Sequence, residues 1–405
     1  MSLSPVRYPI TIRSPKLDAM HVRSSRWILF WLSSSVGATM IGLGIIWPLI
    51  PAIALKLGAE GVQIGLIIAS FNIARTLFNP FAGRLSDHVG RKRFIVTGLL
   101  IYFSISILYV MANRVETLIF VRLVHGLASV LVAPIAMAMV ADIAPQSKLG
   151  RYMGTMSMAS MLGLCIGPAL GGLISDIYGA DASFYTMGGL VLATLAGVFL
   201  FIPGSIEKKN SEKDNQNHVS WGVLIRNKTF RVLFLLRFFA AAGQGAVYTF
   251  LPVLAIQMQM SGSNVGLALG ANIFFIAILQ RFFGQVADSW NPAFLMIVGT
   301  FSSGLTVMGM PFADNFIIIL LLNIAMGVSN GIAMPGGYVL AGRLGRSFGM
   351  GSVMGLTDSA WSLGMIFSPI FSGFILDILG MGSVFYLGGA LIVSGSLFAV
   401  LILRH

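Results

Sequence analysis

The chain has 405 residues, 56% of them hydrophobic and 10% charged, with a mean hydropathy of +0.87. No water-soluble domain of this size can carry that balance on its surface, so lipid is the solvent. The net charge of +12 would point to nucleic acid in a soluble protein, but the cations sit between apolar runs, where membrane orientation accounts for them, and no nucleic-acid partner is expected.

In chain order, the first 26 residues are basic and rich in Ser, Pro and Arg, and no apolar run precedes the first long one. They read as a cytoplasmic N-terminal tail without fixed structure rather than a cleaved leader, with translation starting at Met1 or Met20. Apolar stretches long enough to cross roughly 30 Å of hydrocarbon follow at 27–55, 62–84, 94–112, 117–141, 151–177 and 183–203. Residues 204–228 are too polar for lipid and read as a cytoplasmic linker with a short interfacial helix around Trp221. A second set runs 229–256, 263–287, 293–312, 316–341, 349–378 and 382–403. The expected fold is an all-α membrane protein of twelve transmembrane helices, with six-helix bundles at 27–203 and 229–405.

Of the 26 Lys and Arg, twenty fall on the side of the N-terminus and only Lys56 and Arg114 opposite, which puts both termini in the cytoplasm. The halves match without gaps at an offset of 201 residues. Pro51 falls on Pro252, Gly65 on Gly266, Asp87 on Asp288, Gly126 on Gly327 and Pro134 on Pro335. In the fifth and eleventh spans Gly163, Pro168, Gly172, Asp176 and Gly179 fall on Gly364, Pro369, Gly373, Asp377 and Gly380. Six spans per half is even, so the repeats are parallel, and a cavity is expected where they meet.

Four arginines, Arg75, Arg122, Arg237 and Arg281, lie inside spans, against one well-embedded acid, Asp358. Charges at that depth need a partner or a water-filled cavity. At about 1.5 Å per residue, Asp358 and Arg237 both lie roughly 12 Å in from the cytoplasmic helix ends, with Arg281 at similar depth. Spans three, six, nine and twelve hold no such residues beyond tyrosine and so can face lipid, whereas Gln244, Tyr248, Asn272 and Asn330 join the arginines as cavity candidates. The single cysteine, Cys165, lies within a span, so no disulfide or Cys/His metal cluster is expected. An enzyme would need clustered His, Asp or Glu, and the spans offer one well-embedded Asp and one His, on different helices.

The loop after the second span reads Gly83-Arg84-Leu85-Ser86-Asp87-His88-Val89-Gly90-Arg91-Lys92-Arg93. Its composition is that of any cytoplasmic loop, but its spacing resembles the signature loop of the major facilitator superfamily, and the resemblance extends over the whole chain. It implies a charge relay of Asp87, Arg91 and Asp142, framed by Gly83 and Gly90, that locks one conformation. The second-half copy, Gly284-Gln285-Val286-Ala287-Asp288, keeps the acid without the basic run, so a lock there is weaker.

Gly163, Gly167, Pro168, Gly171 and Gly172 suit close helix packing and a local bend. The full pattern is similar to the antiporter signature of the superfamily's drug:proton branch, which implies export. Arg122-Leu123-Val124-His125-Gly126 resembles that branch's proton-coupling motif, although glutamine is more usual where His125 stands. His125 either carries the coupling proton or hydrogen-bonds a neighbouring helix. In the family fold the seventh and eleventh spans are neighbours, so Arg237 is the first partner for Asp358 and Arg281 the second. That pair either exchanges a proton or is a permanent structural bridge.

The resemblance implies a monomeric, proton-coupled efflux transporter of the plasma membrane. Its partners are lipid, protons and small amphipathic or drug-like molecules, and its energy source is the proton gradient rather than a cofactor. The first span lacks the acid that exporters of cationic drugs usually carry, and the arginine excess favours anionic or zwitterionic substrates. A transporter of organic anions or lysolipids, exporting or importing, and a non-transporting sensor on the same fold stay open.

Overall fold

The computed structural model describes residues 15–145, 148–203 and 221–404, with the side chains of 15–26, 80, 83–84, 87–88, 221–223 and 350–352 outside the described residues. The helices are α1 (Pro15–Lys56), α2 (Gly61–Val89), α3 (Arg91–Met111), α4 (Val115–Ile143), α5 (Leu149–Tyr178), α6 (Ala180–Phe201), α7 (Trp221–Arg226), α8 (Lys228–Gln257), α9 (Gly262–Ser289), α10 (Pro292–Gly309), α11 (Phe316–Phe348), α12 (Met350–Leu379) and α13 (Met381–Arg404). Twelve are long and apolar enough to cross a membrane, and α7, the short helix expected around Trp221, is the remaining one. One expectation changes: α1 begins at Pro15, so part of the basic tail continues the first helix. A proline in a first turn lacks only an N–H that would have no helical partner there.

Helix starts follow local chemistry. Asn227, Ser261, Asn291 and Asn315 accept backbone N–H groups from the first turns of α8, α9, α10 and α11, satisfying donors that have no partner within the helix. Single glycines separate α2 from α3, α5 from α6, α11 from α12 and α12 from α13, with φ of 105° at Gly90, 88° at Gly179, 92° at Gly349 and 80° at Gly380. Only glycine adopts that region freely, which permits a reversal in one residue.

Within the first half α1 packs on α5 and α6, and α4 packs on α2 and α3. The second half repeats the pattern, with α8 on α12 and α13, and α11 on α9 and α10. The halves meet through α2 with α12, α5 with α9 and α1 with α8. This leaves α3, α6, α10 and α13 outside, where Leu100, Phe199, Phe294 and Phe398 are exposed, as the lack of polar side chains in those spans predicts.

Among the described residues, the close contacts between halves lie at one end. A Cβ on Gly65 would stand 2.1 Å from the Pro369 carbonyl oxygen, and one on Gly266 the same 2.1 Å from that of Pro168. Toward the basic loops, a Cβ on Gly154, Gly284 or Gly355 would meet nothing within 4 Å. The halves are therefore sealed on the face away from the basic loops and splayed toward it.

Candidate functional site

The splay encloses a cavity of about 380 Å³. Its wall takes Met40, Leu43 and Trp47 from α1, Phe71, Asn72 and Arg75 from α2, Arg122 from α4, and Ser160, Met161 and Leu164 from α5. Across from them stand Arg237, Gln244 and Tyr248 of α8, Ile273 and Ile276 of α9, Met334 and Tyr338 of α11, and Trp361 and Met365 of α12. The four lipid-facing helices contribute none of the lining residues.

Trp47 and Tyr248 close the gap between the halves, stacked at 4.6 Å and 14°. Tyr248 donates its hydroxyl to Asn272 Oδ1 at 3.1 Å, and Asn272 donates in turn to the Asn323 carbonyl at 3.0 Å. Arg122 is 1% exposed. Its Nε donates to the Ile67 carbonyl at 3.3 Å, its guanidinium lies 4.8 Å from the Phe71 ring centre, and Nη1 has no partner among the described residues. Arg237 reaches Asp358 at 3.3 Å and lies 5.1 Å from the Trp361 ring and 5.8 Å from that of Tyr338.

The pairing of Arg237 with Asp358 is the one that depth and the family resemblance together predict, but the acid is not buried. Its side chain is 77% exposed against 15% for Arg237. Asp358 precedes Met365 by two helical turns on nearly the same face of α12, toward the splayed end, which leaves it at the mouth of the cavity.

Three cavity candidates are placed otherwise than expected. Asn272 is fully buried behind Tyr248 and orients it instead of lining the wall. Asn330 is 2% exposed within α11, with Nδ2 unpaired among the described residues, and does not line the cavity. Arg281 is exposed and outside the wall; five residues past Ile276, it lies about 140° further round α9, so it is not a second partner for Asp358. His125 is also shut off from the cavity: it is fully buried against Phe71, Tyr102 and Tyr109. Its Nδ1 lies 3.1 Å from the Tyr109 hydroxyl, and Nε2 has no partner among the described residues.

In the signature loop Arg91 pairs with Asp142 at 3.0 Å, and Gly90 forms the turn. Gly83 and Asp87 lie within α2, with side chains outside the described residues. The antiporter pattern faces two ways. A Cβ on Gly163, Gly167 or Gly171 would lie 2.5 to 2.7 Å from α1 backbone, and one on Gly172 would lie 2.1 Å from the Gly262 carbonyl of α9. The sealed face carries two further carboxylates. Asp176 accepts the Gly262 and Ser263 amides at 2.9 and 2.7 Å, together with the Ser263 hydroxyl. Asp377 accepts the Gly61 and Val62 amides at 2.7 and 3.0 Å.

Sequence reasoning passed over Asn72, Trp47, Tyr338 and Trp361. Asn72 had a usable signal, since three residues before Arg75 it shares that face of α2. The aromatic residues had none, because tryptophan and tyrosine serve lipid interfaces and cores equally well.

Twelve spans in two like halves around a cavity open to one face define a membrane transporter. The chain belongs to the Major Facilitator Superfamily, whose family model matches residues 32–293 and again 233–405. It is 30% identical over 360 residues to an uncharacterized MFS-type transporter of Methanocaldococcus jannaschii, covering 88% of this chain and 92% of that protein. It is 24% identical over 366 residues to Multidrug resistance protein 2 of Bacillus subtilis (88% and 90% covered) and 22% identical over 361 residues to Quinolone resistance protein NorA of Staphylococcus aureus (86% and 90% covered). The fold is shared with the nucleoside transporter NupG, at a TM-score of 0.78 and 12% identity over 93% of this chain and 99% of that one. It is also shared with a bacterial homologue of the human lysosomal transporter Spinster in an inward-facing, unoccupied conformation, at 0.75 and 14% over 94% and 95%.

Proposed function

We propose that this monomer exports small amphipathic, drug-like molecules across the plasma membrane by alternating access, driven by protons moving inward. The observation that carries the reading is the aromatic- and arginine-lined cavity open toward the basic face and sealed on the other. With the basic loops cytoplasmic, that is the state an exporter needs to load from the cell interior. Similarity to two drug-resistance proteins and the antiporter pattern of α5 support the direction.

In this mechanism the cavity mouth closes as the splayed helix ends approach, with Gly83, Asp87 and Gly90 joining the Arg91–Asp142 pair, already formed in the open state, to hold the closed arrangement. Opening the other face requires the Asp176 and Asp377 caps to release. Asp358 at the mouth takes a proton and loosens its hold on Arg237, while Arg122 stays charged throughout. His125, in its aromatic cage, orients α4 rather than carrying the proton. The test is purified protein in sealed vesicles with a pH-sensitive dye inside, challenged with amphipathic compounds. Compound-dependent proton movement is the expected result, and silence across the panel overturns proton coupling.

A further inference from the structure

Two of the three arginines in the cavity wall have no counter-charge. Arg237 is matched by Asp358, whereas the lining residues include no acid at all. Arg122 is 1% exposed, held by Nε on the Ile67 carbonyl and by the Phe71 face, with Nη1 unpartnered among the described residues. Arg75 stands one turn beyond Phe71 on the same face of α2, and no acid pairs with it among the described residues. Arg75 is exposed to the open cavity, whereas Arg122 is embedded, where a guanidinium without a carboxylate is unfavourable and cannot shed its proton to relieve the cost. Such a charge makes physical sense where a ligand brings the opposite one.

From this we infer the substrate class: the cavity takes aromatic organic anions, with Arg75 and Arg122 gripping a carboxylate or similarly compact anionic group. This rests on the transporter reading above and deepens it. The planar fork of a guanidinium matches a carboxylate in a way a point charge does not. The body of the molecule then lies against flat walls, the stacked Trp47 and Tyr248 on one side and Trp361 on the other. The cavity of about 380 Å³ admits a fused two-ring compound. Lipophilic cations meet two uncompensated positive charges and are rejected. The charge of the cargo also fixes the electrical character of transport. Exporting a monoanion while one proton enters moves two positive-charge equivalents inward, each giving a bias of about 50-fold per 100 mV of interior-negative potential.

The test uses three probes on one ring system, 2-naphthoate, 2-naphthamide and 2-naphthylmethylammonium, with binding to the detergent-solubilised full chain read by quenching of tryptophan emission. Naphthoate is expected to bind at least about ten-fold tighter than the amide, the gain of a charge-assisted hydrogen bond, and the ammonium weakest. Arg75→Gln should remove that preference while leaving amide binding unchanged. Arg122→Gln should do the same if it folds, but Arg75→Gln, at an exposed position, is decisive. Equal binding of the three probes, preference for the ammonium, or an unchanged naphthoate affinity in Arg75→Gln overturns the inference. Because binding is read without a gradient, arginine-dependent naphthoate binding without any proton movement in vesicles would sink proton coupling and leave the anion site standing. Transport of the amide or ammonium probe, unaffected by Arg75→Gln, would do the reverse.

Discussion

The carboxylate of Asp377, near the end of α12, accepts the backbone N–H of Gly61 at the start of α2 at 2.7 Å, joining the two halves of the molecule across the sealed face. Asp176, 201 residues earlier, makes the equivalent contact with Gly262 of α9 at 2.9 Å. Each carboxylate sits at the positive end of a helix from the opposite half, where an anion is favoured by the unsatisfied amides and the helix dipole together. The internal repeat thus yields two like latches.

Replacing both acids by asparagine leaves an acceptor but removes the charge, at a cost of about 1 kcal/mol per latch for such exposed contacts. The double variant Asp176→Asn/Asp377→Asn should shift the population toward the state open on the latched face by about ten-fold or more. Cys165, the one cysteine of the chain, reports it: it lies between α5 and α9, with Sγ 3.5 Å from the Gly270 carbonyl. Maleimide added to that face should label Cys165 faster in the double variant, and an unchanged rate would mean the latches do not hold the gate.

A methyl group at Gly65 or Gly266 has no space, since its carbon would stand 2.1 Å from a proline carbonyl of the other half. Gly65→Ala should cost this closed arrangement about 2 kcal/mol through overpacking, and the relief available is to part the halves there. The expected result is lost transport with faster Cys165 labelling and helix content intact by circular dichroism. Gly154→Ala, at the splayed end where nothing lies within 4 Å, should be neutral for the cytoplasm-open state.

Asp358→Asn removes the partner of Arg237, but with the acid 77% exposed the pair contributes little to folding, on the order of 1 kcal/mol or less. The melting temperature should hold while gradient-driven transport is abolished. Transport that persists in the variant would make Asp358 a structural bridge.

His125 packs against three aromatic rings and lies 3.1 Å from the Tyr109 hydroxyl, away from the cavity wall. His125→Gln retains a hydrogen-bonding group of similar reach, so proton-coupled transport should survive with a stability loss of about 1–2 kcal/mol. His125→Ala leaves a hole among the rings and should lose about 2–4 kcal/mol. If the glutamine variant binds cargo normally but no longer moves protons, His125 carries the coupling proton.

Much of this protein was legible in its sequence, because lipid allows so few solutions. A chain in hydrocarbon must satisfy its backbone internally, so run lengths alone mark twelve helices, and the absence of embedded polar groups marks α3, α6, α10 and α13 as the outer ones. The gap-free repeat implied paired halves, and similar depth together with the family resemblance, which makes the seventh and eleventh spans neighbours, implied that Arg237 and Asp358 would meet. What the tertiary structure decided is which side of each inner helix faces the cavity, since helix rotation and tilt come from packing against neighbours that no local pattern specifies. That is why Asn272 and Asn330 lie behind the wall, Arg281 lies outside it, and Asn72, Trp47, Tyr338 and Trp361 line it. Asp176 and Asp377 matched in the repeat, but their partners stand 86 and 316 residues away in the other half, and only folding brings an acid to a helix end that distant.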